Sequence, residues 1–176
     1  MNKIVCFALA STLGLSATCF AAEPSVQVGF SPEGSAHTLV LSAIDSAHTS
    51  IRMLSYSFTA RDIVQALIAA KKRGVDVKIV VDEKGNRGRY SVAAMNLIVN
   101  NQIPIRTDSE FPIQHDKTII IDDQSVETGS FNFTDSAEKR NSENALVIWN
   151  MPKLAQSYTA HWQDRWDRGQ DYRSTY

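Results

Sequence analysis

Six positions within eighteen residues form a pattern able to do chemistry: His115, Lys117, Asp122, Gly129, Ser130 and Asn132. In an extended chain, residues two apart project from the same side of a sheet, so His115 and Lys117 share a face. An imidazole beside an ammonium, followed by Ile119-Ile120-Ile121, is comfortable only with an anion between or above the two groups. Gly129 ends a second short strand, Ser125 to Thr128, where the missing side chain lets a ligand approach the backbone. Ser130 and Asn132 then add neutral donors. The set supplies a nucleophile or base, a fixed positive charge and several hydrogen-bond donors, which is what binding and transforming a phosphate requires.

The elements that position these groups belong to one domain. The chain has 176 residues, 43% hydrophobic and 21% charged, enough for a single core. Residues 1–21 read as a secretory signal peptide: Lys3 precedes an uncharged stretch to Ala22, with small residues before a cleavage point after Ala21. A membrane anchor is the competing reading, since the stretch approaches spanning length. Ser11, Thr12, Gly14, Ser16 and Thr18 dilute its apolarity and favour cleavage. The expectation is a periplasmic or secreted domain, residues 22–176, with no stable membrane insertion once the leader is gone. Cys6 and Cys19 both lie in the leader, so the mature domain has neither disulfides nor thiolate metal sites.

Removing Lys3 leaves 17 basic against 19 acidic residues, a balance that neither requires nor excludes a nucleic-acid partner. The distribution says more, with a local basic excess of five between Ala60 and Thr107. Lys84-Gly85-Asn86-Arg87-Gly88-Arg89 reads as a flexible basic loop, either solvated or in contact with phosphate.

Strands and helices alternate along the mature chain. Ser25 to Phe30 is a first strand, and Ser35 caps a helix to about Ala47. Ile51 to Phe58 is the next strand; Thr59 with Asp62 resembles a capping box for a helix stopped at Gly74. Val75 to Val81 is a buried strand, and a helix capped by Ser91 ends near Asn100. Pro104 suggests an edge position for Ile103 to Thr107. After the central motif come a strand, Asn144 to Trp149, and a helix from Pro152 to Gly169 with Leu154, Tyr158, Trp162 and Trp166 on one stripe. The fold class is α/β, a mixed β-sheet sandwiched by helices.

The pattern His115-x-Lys117-x4-Asp122-x6-Gly129-Ser130-x-Asn132 resembles the signature of the phospholipase D superfamily. The similarity extends over the mature chain, and its length, leader and single motif look most like the small secreted bacterial endonucleases of that superfamily. The resemblance implies a phospholipase D/nuclease-like fold and adds Glu143 to the site, where it would hold the histidine ring. His115 would then attack phosphorus, with Lys117, Ser130 and Asn132 on the non-bridging oxygens. Asp122 either joins the catalytic set or shapes the motif by accepting hydrogen bonds.

A phosphorylated imidazole cannot also protonate the leaving group. The family's answer is two facing copies of the motif, yet His37, His48 and His161 all lack the lysine two residues on. One motif per chain implies a homodimer with the site on its two-fold axis, the second His115 serving as acid and then base. Two-metal hydrolysis would need clustered carboxylates. Asp116, Asp122 and Asp123 are present, but alternation turns Asp116 away from His115, and an ammonium repels a divalent ion. The expectation is therefore no metal and no cofactor. The expected substrate is DNA, single or double stranded, with RNA left open; the alternatives are an anionic phospholipid and a catalytically silent nucleic-acid-binding module.

Overall fold

The computed structural model describes residues 22–176, so the leader assigned to residues 1–21 lies outside the described residues. The order is β1 (Ser25–Ser31), α1 (Ser35–Asp45), β2 (Ser50–Ser55), α2 (Arg61–Lys72), β3 (Asp76–Asp82), a single 3-10 turn (Lys84–Asn86), α3 (Arg89–Asn100), β4 (Ile105–Asp108), β5 (Lys117–Ile121), β6 (Ser125–Gly129), α4 (Asp135–Lys139), β7 (Glu143–Trp149), α5 (Pro152–Arg168) and β8 (Gln170–Asp171). The eight strands make one mixed sheet in the order β1-β7-β6-β5-β2-β3-β4-β8. β2, β3 and β4 run parallel because helices cross over between them; β5, β6 and β7 have shorter connections and pair antiparallel.

Strand alternation sends side chains to two helical layers. Ile51, Met53, Ile79, Ile119 and Val147 face Val40 and Ile44 of α1, Ile63 and Leu67 of α2, and Ile98 of α3. Leu54, Val80, Ile120 and Val126 face the α5 stripe of Leu154, Tyr158, Trp162 and Trp166. Trp162 is buried and its indole N–H donates to the Met53 carbonyl at 3.1 Å, so the large ring is accommodated without an orphaned donor. This is the expected α/β sandwich. The carboxyl ends of β2, β3 and β6 and the amino ends of β5 and β7 share one edge, the crevice where open α/β sheets bind ligands.

Several local expectations are corrected. Thr59 and Asp62 form no capping box: α2 opens at Arg61 without a side-chain cap, while Asp62 accepts from the Ile63 amide at 2.8 Å and pairs with His37. α1 and α3 likewise start after Gly34 and Gly88 without side-chain caps, and Ser91 lies inside its helix. The basic segment is not a flexible loop. Asn86 is buried and ties it down, its amide group donating to the Tyr56 and Asp82 carbonyls and accepting from the Phe58 N–H. Pro104 lies just outside β4, whose outer edge is covered by β8 through Arg106 and Thr107. The short strand β8 and helix α4 were not anticipated; Thr134 caps α4 by accepting from Ala137.

Candidate active site

β5 begins at the site. Lys117 is buried, and its Nζ donates to the His115 carbonyl at 2.8 Å while lying 5.1 Å from the centre of the Tyr56 ring. Burial lowers the Lys117 pKa, opposed by the charges of Asp116 and Glu143. The His115 ring packs against Tyr56 with centroids 4.6 Å apart. Asp116 points the other way, as alternation requires, toward Gln114 and toward His161 of α5.

β6 and β7 bring the second half of the motif alongside. A Cβ at Gly129 would collide with the Asn144 carbonyl, so only glycine allows the strands to close here. The amides of Ser130 and Phe131 then donate to that same carbonyl at 3.1 and 3.2 Å. Phe131 and Phe133 are fully buried anchors, and between them Asn132 faces the opening with its buried Oδ1 unpartnered. Ser130 Oγ donates to Glu143 Oε2 at 2.5 Å, and Asn141 Nδ2 donates to Oε1 at 2.9 Å. The result is one pocket of about 420 Å³ lined by His115, Lys117, Gly129, Ser130, Asn132 and Glu143. It offers an imidazole, an ammonium and neutral donors to one anionic centre.

Two members of the expected set need correction. Asp122 does not line the pocket; it follows the far end of β5, at positive φ, where it accepts from the amides of His48, Thr49 and Ser50 and from the Thr49 hydroxyl. Burial opposes the Asp122 charge, but these four donors outweigh it and hold the carboxyl below its usual range. Glu143 lines the pocket, yet its carboxylate is taken up by Ser130 and Asn141, not by the His115 ring. Tyr56 and Asn141 were missed from sequence. An aromatic just past a strand end, and an amide two residues before an acid, are signals too common to single out.

Glu143 is the only carboxylate in the pocket lining. Among the described residues the one grouping suited to a metal ion is His37, Asp62 and Glu138, with ligand atoms within 4.8 Å of one another. None of the three lines the pocket, and His37 already bonds Asp62 at 2.5 Å.

A family model described as "Cardiolipin synthase, PLD-like domain" matches residues 40–166, most of the chain. The chain belongs to the phospholipase D superfamily. Among solved structures, the phospholipase D family member Nuc from Salmonella typhimurium is 75% identical, covering 86% of this chain and all of that one, with a TM-score of 0.86. A curated phospholipase D of Rickettsia bellii is 39% identical over 80% of this chain and 68% of its own length. NucT from Helicobacter pylori, at 24% identity and a TM-score of 0.76 over 85% of this chain, shares the fold. The protein is accordingly a phosphodiesterase of the phospholipase D superfamily, and none of the helices among its described residues is long and apolar enough to cross a membrane.

Proposed function

We propose that the protein is an exported, metal-independent endonuclease that hydrolyses DNA through a phosphohistidine, with one active site built by two subunits. The observation that carries this reading is the pocket that holds His115, Lys117, Ser130 and Asn132 together, with His115 the single imidazole in its lining. A His115 ring nitrogen forms a bond to phosphorus as the bond to the leaving oxygen breaks. The His115 ring of the second copy gives that oxygen its proton. The now neutral second ring takes a proton from water, whose oxygen displaces the first ring and restores both imidazoles. Lys117 and the Asn132 amide hold the non-bridging oxygens throughout. Ser130, with its O–H given to Glu143 and its N–H to the Asn144 carbonyl, shapes the pocket wall and does not donate to the phosphate as the sequence suggested. Glu143 acts by fixing the Ser130 hydroxyl and by supporting the charge on buried Lys117.

Among the described residues, an exposed apolar strip beside the pocket supports the dimer. Val26, Val28 and Phe30 of edge strand β1 are 62, 55 and 53% exposed on one face. Their partners in β7 are Ile148, Leu146 and Asn144, while α5 packs on β2 through β6. Phe30 and Ser31 pair with Asn144 and Glu143, so a second copy seated on this strip brings its own pocket alongside. The name of the Rickettsia relative favours phospholipid as the second reading. Purified protein incubated in EDTA with plasmid DNA and, separately, with labelled anionic liposomes decides between them. DNA cleavage that persists in chelator and vanishes in His115→Ala is the expected result; lipid cleavage alone overturns it.

A further inference from the structure

The nucleic-acid reading of the pocket leaves open how a strand is held beside it. Among the described residues Tyr90 is the most exposed large aromatic before the C-terminal residue, 66% accessible at the start of α3. It forms a wall of two adjoining recesses that share Thr59. The first, about 250 Å³, has an apolar floor of Val64, Ala93, Ala94 and Leu97. The second, about 370 Å³, is polar, with Thr134, Ser136 and Arg140. Backbone hydrogen bonds link their walls to the segment that lines the catalytic pocket. The Thr59 and Ala60 amides donate to the Phe133 carbonyl at 2.9 Å, and Thr134 donates to the carbonyl of pocket residue Asn132 at 2.7 Å.

Charge pairing makes this region distinct. Arg52, Arg73, Arg87, Arg106, Arg165 and Arg168 each have a carboxylate within 4.0 Å. Arg61, Arg89, Arg140 and Arg173 have none among the described residues, and the first three of these stand around Tyr90. Arg61 lines the apolar recess, Arg140 the polar one, and the Arg89 guanidinium lies 4.6 Å from the Tyr90 ring centre. Asp135 is the one acid on the polar recess, and Lys139 approaches it at 3.8 Å.

We infer that Tyr90 and the recess beneath it bind one unpaired nucleobase of the substrate strand, with Arg140 and Arg61 on the flanking phosphates. Stacking on an exposed aromatic backed by an arginine, within a cationic track, is how single strands are held without sequence preference. The apolar recess is smaller than the roughly 300–1,000 Å³ of sites for drug-sized ligands. That suits one flat ring system and not the paired acyl chains of a phospholipid. A base in this recess is out of its duplex, so single strands and frayed ends are the preferred substrates.

Binding is measured with full-length protein carrying His115→Ala, so that the probes survive. The probes are a labelled single-stranded oligonucleotide, an abasic oligonucleotide of equal length, and cardiolipin-containing vesicles. Adding Tyr90→Ala weakens binding of the base-bearing strand by about tenfold and leaves the abasic strand unchanged, while Tyr90→Trp retains affinity. Equal weakening of both strands, or of neither, overturns the assignment, as does loss of vesicle binding with oligonucleotide binding intact. Protein with His115 present separates the two levels of the argument. If it cleaves lipid and leaves DNA whole, the nuclease reading itself falls; if it cuts DNA and Tyr90→Ala binds normally, only the base recess falls.

Discussion

Asp122 and Glu127 are both carboxylic acids next to the motif strands, and their surroundings drive them in opposite directions. Asp122 is held charged by three backbone amides and a hydroxyl that tie the turn before β2 to the end of β5. Its folded pKa lies below the unfolded value, so its stabilisation is full above about pH 4 and is lost as pH falls through the depressed folded value. Asp122→Asn is expected to cost about 2 kcal/mol in denaturant unfolding at neutral pH and to flatten the acid limb of stability. Its catalytic rate at low temperature should stay near that of the parent; a collapse in rate with unchanged stability would return Asp122 to the catalytic set. Glu127 is fully buried in β6, with neither carboxylate oxygen partnered, and burial pushes its pKa well up. A raised acid pKa gives the opposite sign: the folded state must hold a proton, and stability declines as pH rises from about 4.3 toward the folded value. Glu127→Met should remove that decline and raise stability at neutral pH by about 1–3 kcal/mol. Melting curves across pH for the two variants test both signs.

At the scale of elements, the site depends on how closely β6 and β7 approach. Gly129 has no room for a side chain because the Asn144 carbonyl occupies the space a Cβ would take. Gly129→Ala must spread the strands just where Ser130 and Phe131 hang from that carbonyl, displacing the Ser130 hydroxyl from Glu143. A misplacement of this kind is expected to lower kcat by about a hundredfold, with a smaller change in KM. Asn86 plays a comparable part for the β3–α3 connection, because its one side chain satisfies two carbonyls and one amide. Asn86→Ala should lower the unfolding free energy by about 2–4 kcal/mol and release the Tyr56 segment that packs on His115. Faster hydrogen exchange confined to residues 55–58 and 82–88 is the confirming measurement.

Each chain places a single imidazole, His115, in the catalytic pocket where the proposed chemistry needs two. The apolar strip on β1 and β7 offers an exposed seat for a second copy, and its burial is the driving force for association. Val28→Glu places a charge at the centre of that strip without touching the pocket lining. The expected outcome is a monomer in sedimentation, a normal melting profile and hydrolysis reduced by about a hundredfold, the scale of a lost general acid. A monomer with full activity would end the shared-site mechanism.

Periodicity and motif spacing were enough for the α/β sandwich, for the order of its elements apart from α4 and β8, and for His115, Lys117, Ser130 and Asn132 as one set. Those features are local: alternation puts His115 and Lys117 together, and two hydrogen-bonded strands put Gly129 opposite Lys117 whatever surrounds them. Glu143 entered only through family likeness, since nothing between Asn132 and β7 says how the chain returns. Long-range packing decided the rest. The bonds from Asp122 to residues 48–50, the seat of Asn86 and the guanidiniums left unpaired around Tyr90 join segments far apart in the chain. A carboxylate carries no mark in sequence of whether three amides or a substrate will meet it; only the folded neighbours supply that, because hydrogen bonding and desolvation act through space.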